Sequence, residues 1–575
     1  KHTSAFTPAS TYLLAGTTNN TYTISGLDNA TRYYFRVSGV NKQGFEGTSA
    51  AIDMTPKFSG PVWWVAKNGD DTNGEGTVSN PFSSIQHAMD EANEGDSISI
   101  KPGTYTGKDN RDLDFHGKNL VIMSQYPATW DSVIIDAQTQ GQHFYLDGNS
   151  NSSNSSGSSK TSSDKSKLVG LSLINGFFEG GGSNHPRGGS VTVRNGNSLT
   201  FEKILFKNNV MQNNGETHSA GAVRIEATTI SSKFYNCRFE NNRSEGSNSS
   251  HATGAIGIGG DGQQYSTSSV LIDGCEFIGN LGRNEGGAIN ARHNTIIQNS
   301  LFYKNRAYNE QGGAHGGAIA GMLWTAGNGG GFNQIQRIIN STFVENIAES
   351  GGGAYSVYGS GSPIVFNSIF LNNYRGNLSG AQELDNFKIQ GSNIKIGYSS
   401  LTWNDGSNDV NEVDHENILT SPPAFVDTTK ENFNLSAASS LIGAGVTSYL
   451  GIDAPSKDKN GTTRPSPSGS NPDLGAFENA LATSPYPKQV KNLTGVIGSG
   501  QVALNWDANT ETDITKYYIY ASTVKDYNPA PEDSVGESTS NSFTVTGLTN
   551  STEYHFRVAA VNSQGYRGTF SEQLS

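Results

Sequence analysis

The chain has 575 residues, of which 34% are hydrophobic, 16% are charged and 69 are glycine. This length exceeds that of one ordinary core and predicts several domains. The net charge of −13 argues against nucleic acid as a partner, because phosphate binding requires a basic surface. No apolar run approaches the roughly 20 residues that span a bilayer, so we expect no membrane insertion.

Two similar segments lie near the two ends of the chain. "TYTISGLDNATRYYFRVSGVNKQGFEGT" starts at Thr21, and "SFTVTGLTNSTEYHFRVAAVNSQGYRGT" starts at Ser542. Their alternating apolar residues, with Trp506 on an early strand of the second copy, are typical of a small antiparallel sandwich. Both segments resemble the fibronectin type III module. We predict a partial module at 1–57, a linker at 481–486 and a complete module at 487–575.

The partial module lacks the first strands of such a sandwich, which predicts an open sheet edge. We therefore expect the chain to be part of a longer protein whose neighbouring domains lie beside this module. Self-assembly, in which a neighbouring molecule supplies the missing strands, is the alternative.

A short amphipathic helix is predicted after the first module. Four apolar residues share one helical face, and Gly95 suits the helix end: Ile85, Ala88, Met89 and Ala92. The strand pattern of Ile98 and Ile100 follows. This arrangement resembles the entry cap of right-handed parallel β-helix proteins of the pectate-lyase-like superfamily, in which a helix covers the first coil.

Two motifs recur at intervals of roughly thirty residues, which indicates a solenoid. The first series is "GGSVTVR" (188–194), "GAVRIEA" (221–227), "GAIGIGG" (254–260), "GAINARH" (287–293), "GAIAGML" (317–323) and "GAYSVYG" (353–359). The second series pairs a Phe with an Asn three residues later: Phe206, Phe239, Phe277, Phe302, Phe343 and Phe370, with Leu401-x-x-Asn404 as a seventh member. Coils that stack at about 4.8 Å would bring these residues into vertical columns.

The combined repeats resemble those of the polymorphic membrane protein family of autotransporter passengers, which are surface adhesins. The segment "KDKNGTTRPSPSGSNPDLGAFE" resembles the closing segment of secreted bacterial β-helix proteins of the choice-of-anchor group. We therefore predict an all-β fold, with a right-handed parallel β-helix over 60–480 and an N-terminal capping helix, flanked by fibronectin type III modules. The resemblance implies a secreted or cell-surface location in a bacterium.

Most motif residues have a structural explanation. The Phe residues are expected to stack inside the coils, and the Asn residues to satisfy the backbone at one bend. Cys237 and Cys275 each precede such a Phe by two residues, so they are expected to be buried neighbours. Free thiols are the simple interpretation, with a disulfide or a metal pair as the alternative.

Period-two alternation in the first series predicts a surface that could bind a ligand. If the apolar residues point inward, the residues between them point outward. These outward residues are glycines flanked by charged and amide side chains, and we call the glycines the floor of this surface. The candidate residues are Arg194, Arg224, Glu226, Gly257, Gly259, Asn290, Arg292, His293 and Tyr358. Arginine binds carboxylate or sulfate, and an aromatic ring offers a stacking face, so a polysaccharide or cell-surface glycan would suit this floor. An ordinary solvated sheet face is the alternative interpretation.

The sequence is compatible with three functions. The first is a surface adhesin or structural stalk. The second is a polysaccharide lyase, in which Arg292 with His293, Arg224 or Arg194 would neutralise a uronate and remove its proton. These strands carry no acidic cluster like a pectate-lyase calcium site, and we match no lyase motif. The third is a glycoside hydrolase, which would require Glu226 and Asp261 as its two carboxylates.

No cofactor is assigned from the sequence. The acidic loops 67–76 and 404–417 supply oxygen ligands of the kind that calcium prefers, but neither has the spacing of a known calcium loop. Turn formation by Asp and Asn is the alternative explanation.

Overall fold

The computed structural model describes residues 16–19, 21–22, 24, 33–43, 45–54, 62–147, 165–180, 187–194, 197–212, 219–226, 232–245, 252–259, 269–309, 313–323, 335–377, 382–402, 413–530 and 533–575. Four long sheets, whose neighbouring strands come from successive coils, form the main body of the fold. The structure therefore confirms an all-β parallel β-helix with a fibronectin type III module. Among the described residues, no helix has the length and apolar character needed to cross a membrane.

Each of the four sheets forms one side of the coils. Sheet 1 consists of Val62–Val65, Ser97–Ile100, Val121–Ser124, Lys167–Val169, Thr200–Glu202, Lys233–Tyr235, Val270–Asp273, Thr295–Gln298, Gln336–Ile339, Ile364–Phe366, Ile394–Gly397 and Val413–Glu416. Sheet 2 consists of Gly103–Tyr105, Val133–Asp136, Ser172–Ile174, Leu205–Lys207, Arg238–Glu240, Glu276–Ile278, Leu301–Tyr303, Thr342–Val344, Ile369–Leu371 and Ser400–Leu401.

The chain then turns into the other two sheets. Sheet 3 consists of Phe177–Glu179, Val210–Gln212, Arg243–Glu245, Leu281–Gly282, Arg306–Ala307, Ile347–Ala348, Tyr374–Gly376 and Gln382–Leu384, the last of which is antiparallel. Sheet 4 consists of Leu113–Asp114, Phe144–Asp147, Val191–Arg194, Val223–Ile225, Ile256–Ile258, Ile289–Ala291, Ile319–Leu323, Tyr355–Gly359 and Phe387–Gln390.

The Phe residues form the predicted ladder in the core. Adjacent rings from Phe206 to Phe370 lie 4.6–4.8 Å apart between centroids and are nearly parallel. Leu401 continues the column by pairing with Phe370, whereas Asn404 lies outside the described residues. The inward residues of sheet 4 belong to the same core, including Val223, Ile256 and Ile289. Stacking of equivalent residues is therefore confirmed.

The Asn residues form a second ladder at the bend between sheets 2 and 3. Asn242 Nδ2 donates to Asn280 Oδ1 at 2.9 Å, and Asn280 Nδ2 donates to Asn305 Oδ1 at 2.9 Å. The sequence predicts Asn404 as the next member after Asn373. In the structure the next partner is Asn386 instead, because Asn373 Nδ2 donates to Asn386 Oδ1 at 3.0 Å.

The two cysteines are free, buried and in adjacent coils, which confirms the simple interpretation. They continue a column of serines at the turn between sheets 1 and 2, where Cys275 N donates to Ser300 Oγ at 3.2 Å.

The capping helix runs from Ile85–Glu91 and buries Ile85, Ala88 and Met89 as predicted. The N-cap residue Ser84 makes no side-chain hydrogen bond to the helix. Asp71 holds the helix start instead, since its Oδ1 accepts from the backbone N–H of Ser83 at 2.8 Å and of Ser84 at 3.1 Å. Short 3₁₀ turns occur at Lys108–Asn110 and Thr428–Lys430.

The C-terminal module is a sandwich of two three-stranded antiparallel sheets. One sheet contains Thr494–Gly498, Gln501–Asn505 and Ser542–Thr546, and the other contains Ser534–Ser538, Ile514–Ser522 and His555–Asn562. Trp506 is buried between them, 5.3 Å from Tyr517 by ring centroids.

Three smaller antiparallel pairs complete the described strands. In the predicted partial module, Tyr33–Val37 pairs with Ala50–Met54, and Val37 and Ile52 are largely exposed. Residues 1–15, 20, 23, 25–32, 44 and 55–57 of that prediction lie outside the described residues. After the β-helix, Phe425–Asp427 pairs with Asn432–Leu435, and Ser448–Tyr449 pairs with Ile452–Asp453.

Candidate functional site

Apart from His293, which follows Arg292 beyond the strand end, the predicted site residues lie on the outer face of sheet 4, opposite the core. The strand register aligns Thr192, Arg224, Gly257 and Asn290 in one column. Backbone hydrogen bonds continue the register beyond the strand ends, because Gly259 N donates to Ile225 O and Arg292 N donates to Ile258 O. The predicted alternation of inward and outward residues therefore holds.

The expectation that these outward residues form an exposed floor is wrong. Arg224 is 1% exposed, Asn290 is 3% exposed, and Gly257 and Gly259 are buried. Arg224 Nη2 donates to the backbone oxygen of Gly259, so this guanidinium is held against the neighbouring coil. Alternation shows which face a side chain is on, but it does not show whether that face is covered.

The other candidate arginines are also engaged. Arg194 Nε donates to Glu226 Oε1 at 2.9 Å, and Arg292 Nη2 lies 3.2 Å from Glu285 Oε2. Asn290 Nδ2 donates to the same Glu285 oxygen at 3.1 Å. Ion pairs with so little exposure hold both side chains in place. Removal of one partner would leave the other charge buried without a counter-charge.

His293 and Glu226 are the remaining catalytic candidates in the described part of the chain. His293 is 6% exposed, and burial lowers its pKa, so the ring is neutral at pH 7. Glu226 is committed to its ion pair, and Asp261 lies outside the described residues.

The exposed end of this outer face carries a second set of polar residues, most of which the sequence analysis missed. We call Glu285, Arg292, His315, Tyr358 and Lys388 the outer-face polar cluster. His315 pairs with Glu285 through a parallel bridge between adjacent coils. Lys388 Nζ lies 3.1 Å from His315 Nδ1, and the His315 and Tyr358 rings are 5.4 Å apart.

The positions of these residues follow from the coil geometry. Lys388 pairs with Ser356 and so extends the outward column of sheet 4 by one coil. Tyr358 is two residues beyond Ser356 on the same strand and therefore faces the same side. His315, Tyr358 and Lys388 are all partly exposed, unlike Arg224. Solvent can thus reach this end of the face.

The electrostatics make these groups hydrogen-bond donors. Burial and the Lys388 charge lower the pKa of His315 to about 4, so its ring is neutral. Because Lys388 donates to Nδ1, the ring proton resides on Nε2. Burial, with the charge of Glu285, raises the pKa of Tyr358 to about 12, so its hydroxyl stays protonated.

The acidic loops 67–76 and 404–417 were the candidates for calcium binding. No group of three or more His, Cys, Asp or Glu residues in the described part of the chain lies close enough together to hold a metal ion. Asp70 accepts hydrogen bonds from the backbone of Thr72 at 2.7 Å and Asn73 at 3.0 Å, which is turn formation. Residues 404–412 of the second loop lie outside the described residues.

Comparison with known proteins identifies the C-terminal module. The fibronectin type III domain family matches residues 487–575. These residues form a fibronectin type III domain. Two solved structures similar to this part are domains A168–A170 of titin, 26% identical with a TM-score of 0.14, and an Fn3-like protein from Clostridium thermocellum, 25% identical with a TM-score of 0.13. Each covers 15% of this chain, and the matches span 30% and 85% of those chains.

A third solved structure is similar to a larger share of the chain. Pectate lyase Pel9A is 17% identical, with a TM-score of 0.38, and the match covers 73% of this chain and 96% of that one. No curated protein sequence matches the chain.

Some residues of the outer-face polar cluster could have been predicted from the sequence, and others could not. Glu285 and His315 each directly precede a Gly-Gly-Ala motif, so their shared position could have been found by aligning the repeats. Lys388 lies in "FKIQ", which lacks the motif, and only the strand register identifies it.

Proposed function

We propose that the chain is an extracellular protein of adhesion or surface architecture that binds polysaccharide through the outer-face polar cluster. The observation that carries this proposal is the grouping of Tyr358, His315 and Lys388 at the partly exposed end of sheet 4. A cation, an imidazole N–H and an aromatic ring are suited to the carboxylate, hydroxyls and apolar face of an acidic sugar. Fibronectin-like sandwiches are common in cell-surface proteins, which supports the extracellular assignment.

The protonation states favour binding over cleavage. Elimination from a uronate needs a group that accepts the proton next to the carboxylate. His315 presents N–H rather than a lone pair, and Tyr358 is protonated at neutral pH. Arg292, which the lyase hypothesis requires, is paired with Glu285.

The test is a glycan array probed with the wild-type chain and with Lys388→Ala/Tyr358→Ala. We expect wild-type binding to acidic glycans and a loss of about tenfold or more in the variant, since it removes a charged hydrogen bond and a stacking face. Lys491→Ala/Tyr126→Ala removes an exposed lysine and an exposed tyrosine elsewhere and should bind as the wild type does. Equal binding by both variants would contradict the proposed site.

The lyase alternative is tested by the same protein. Incubation with uronate polysaccharides should give no increase in the ultraviolet absorbance of unsaturated products. A steady increase that disappears in Lys388→Ala/Tyr358→Ala would replace the binding proposal with a lyase at this cluster.

A further inference from the structure

A separate groove lies at the turn between sheets 1 and 2, away from the outer face of sheet 4. Its volume is about 680 Å³, and its lining residues come from the coils on one side and residues 455–461 on the other. Lys203 and Asn299 occupy the same turn position three coils apart, so the groove extends about 14 Å along the helix axis between them. This shape fits an extended chain rather than a compact molecule.

The floor of the groove presents hydrogen-bonding groups from consecutive coils. Tyr235, Asp273 and Gln298 are paired in the strand register, and each is the last residue of its strand in sheet 1. Asp273 Oδ2 accepts from Gln298 Nε2 at 2.9 Å, and Asp273 Oδ1 accepts from Asn299 Nδ2 at 2.9 Å. The amides thus orient the carboxylate, which keeps lone pairs for sugar hydroxyls.

Two aromatic residues also line the groove. Trp130 and Tyr235 are both partly exposed, so their rings are accessible to a ligand. The backbone oxygen of Trp130 accepts from Ser172 Oγ at 2.6 Å, which fixes the tryptophan loop to the coils. Aromatic rings with a polar surround are suited to the apolar faces of sugar rings.

Lysines on opposite walls give the groove its charge preference. Lys203 lies on the coil side and Lys457 on the C-terminal side, and neither forms an ion pair with any described residue. Lys459 also lines the groove, but it is paired with Glu276 at 2.6 Å. Lys203 and Lys457, which have no ion pair among the described residues, outnumber the partly exposed carboxylate of Asp273 on the floor of the groove, and this balance favours an anionic ligand.

The C-terminal wall is preorganised. Asp458 Oδ1 accepts from the backbone of Asn460 at 2.9 Å and Thr462 at 2.7 Å, and Asp458 Oδ2 accepts from Glu478 N at 2.9 Å. Lys459 N also donates to Ala476 O at 3.0 Å. A wall held in this way loses little conformational freedom when a ligand binds.

We infer that this groove is a second carbohydrate-binding site, which takes an extended acidic polysaccharide along the helix axis. Lys203 and Lys457 contact its anionic groups, and Trp130 and Tyr235 pack against its rings. The shared chemistry is a carboxylate or sulfate repeated along a sugar chain.

The test measures binding of three probes to the full chain by isothermal titration calorimetry: polygalacturonate, dextran sulfate and neutral dextran. We expect one or both anionic probes to bind the wild type, and neutral dextran to bind at least tenfold more weakly. Lys203→Ala/Lys457→Ala should lose about tenfold or more in affinity for the probe that binds, because two charged contacts are removed. The matched control Lys491→Ala/Lys525→Ala removes two exposed lysines of the C-terminal domain and should keep wild-type affinity.

A second variant separates the charge contacts from the aromatic ones. Trp130→Ala/Tyr235→Ala should weaken the same probe while an unchanged denaturation midpoint shows that the coils remain folded. Unchanged affinity in both groove variants, or no binding of either anionic probe to the wild type, would overturn the inference. Loss of binding in the groove variants but not in Lys388→Ala/Tyr358→Ala would support the groove and count against the outer-face polar cluster.

Discussion

Asn242→Ala tests the buried asparagine ladder most directly. Asn242 Nδ2 donates to Phe206 O at 2.9 Å and to Asn280 Oδ1 at 2.9 Å. Its Oδ1 accepts from Asn209 N at 3.1 Å and from Asn209 Nδ2 at 2.8 Å. The alanine variant removes all four hydrogen bonds at a fully buried position.

The expected cost follows from the groups that are stranded. Asn209 N loses its side-chain partner, whereas Phe206 O keeps Glu240 N as its partner in the ladder of sheet 2. Asn280 Oδ1 still accepts from Asn242 N at 3.0 Å, and Asn209 Nδ2 still donates to Leu173 O at 3.1 Å. A stranded buried polar group costs about 1–3 kcal/mol. The one group left without a partner, Asn209 N, gives a loss of roughly 1–3 kcal/mol in the free energy of unfolding, to which the other lost hydrogen bonds add.

Urea denaturation and hydrogen exchange measure this loss. Exchange should accelerate most in the coils on either side of Asn242, because each coil of a solenoid contacts mainly its neighbours. The control is Asn241→Gly at the adjacent exposed position, where the left-handed φ of 54° matches that of Gly279 in the next coil at 62°. A loss of under about 1 kcal/mol for Asn242→Ala, equal to that of the control, would refute the ladder's energetic role.

Three further predictions concern buried groups. Burial lowers the pKa of His143 from 6.5 to about 4, so the unfolded chain binds this proton first as the pH falls. The free energy of unfolding should therefore be highest above about pH 6.5 and should fall by roughly 3 kcal/mol as the pH drops through 4. Urea titration at each pH measures this fall, which should be smaller in His143→Gln. Cys237 and Cys275 should resist a thiol reagent in the folded chain and both react in denaturant, as mass spectrometry would show. Arg464→Met leaves Glu478, whose side chain is 0% exposed, without its partner at 3.2 Å and should cost roughly 3–5 kcal/mol, measured by denaturation; an undiminished midpoint would contradict this.

The repeat architecture was predictable because it depends on local periodicity. Phe277 and Asn280 recur at fixed spacing, so the sequence alone indicates their vertical columns, and the structure confirms both. The capping helix was predictable for the same reason, since its apolar face is contained within one short segment.

The candidate site was predictable only in part. Alternation correctly places Arg224 on the outer face, but its 1% exposure depends on what covers that face, and no short-range pattern encodes such coverage. The groove was missed for a related reason. Lys203 and Lys457 are distant in sequence and meet only because the segment after the coils folds back along them.

The left-handed turn between sheets 1 and 2 has a consequence for how the groove can vary. Lys203, Asn236, Gly274 and Asn299 all have φ between 51° and 67° at this one position. Residues of very different size and charge thus occupy an identical backbone site, so a substitution there can alter the chemistry of one subsite without disturbing the adjoining coils. Insertion of a whole coil would lengthen the groove by the rise of one coil. The length of the groove and the charge of its lining could therefore evolve separately.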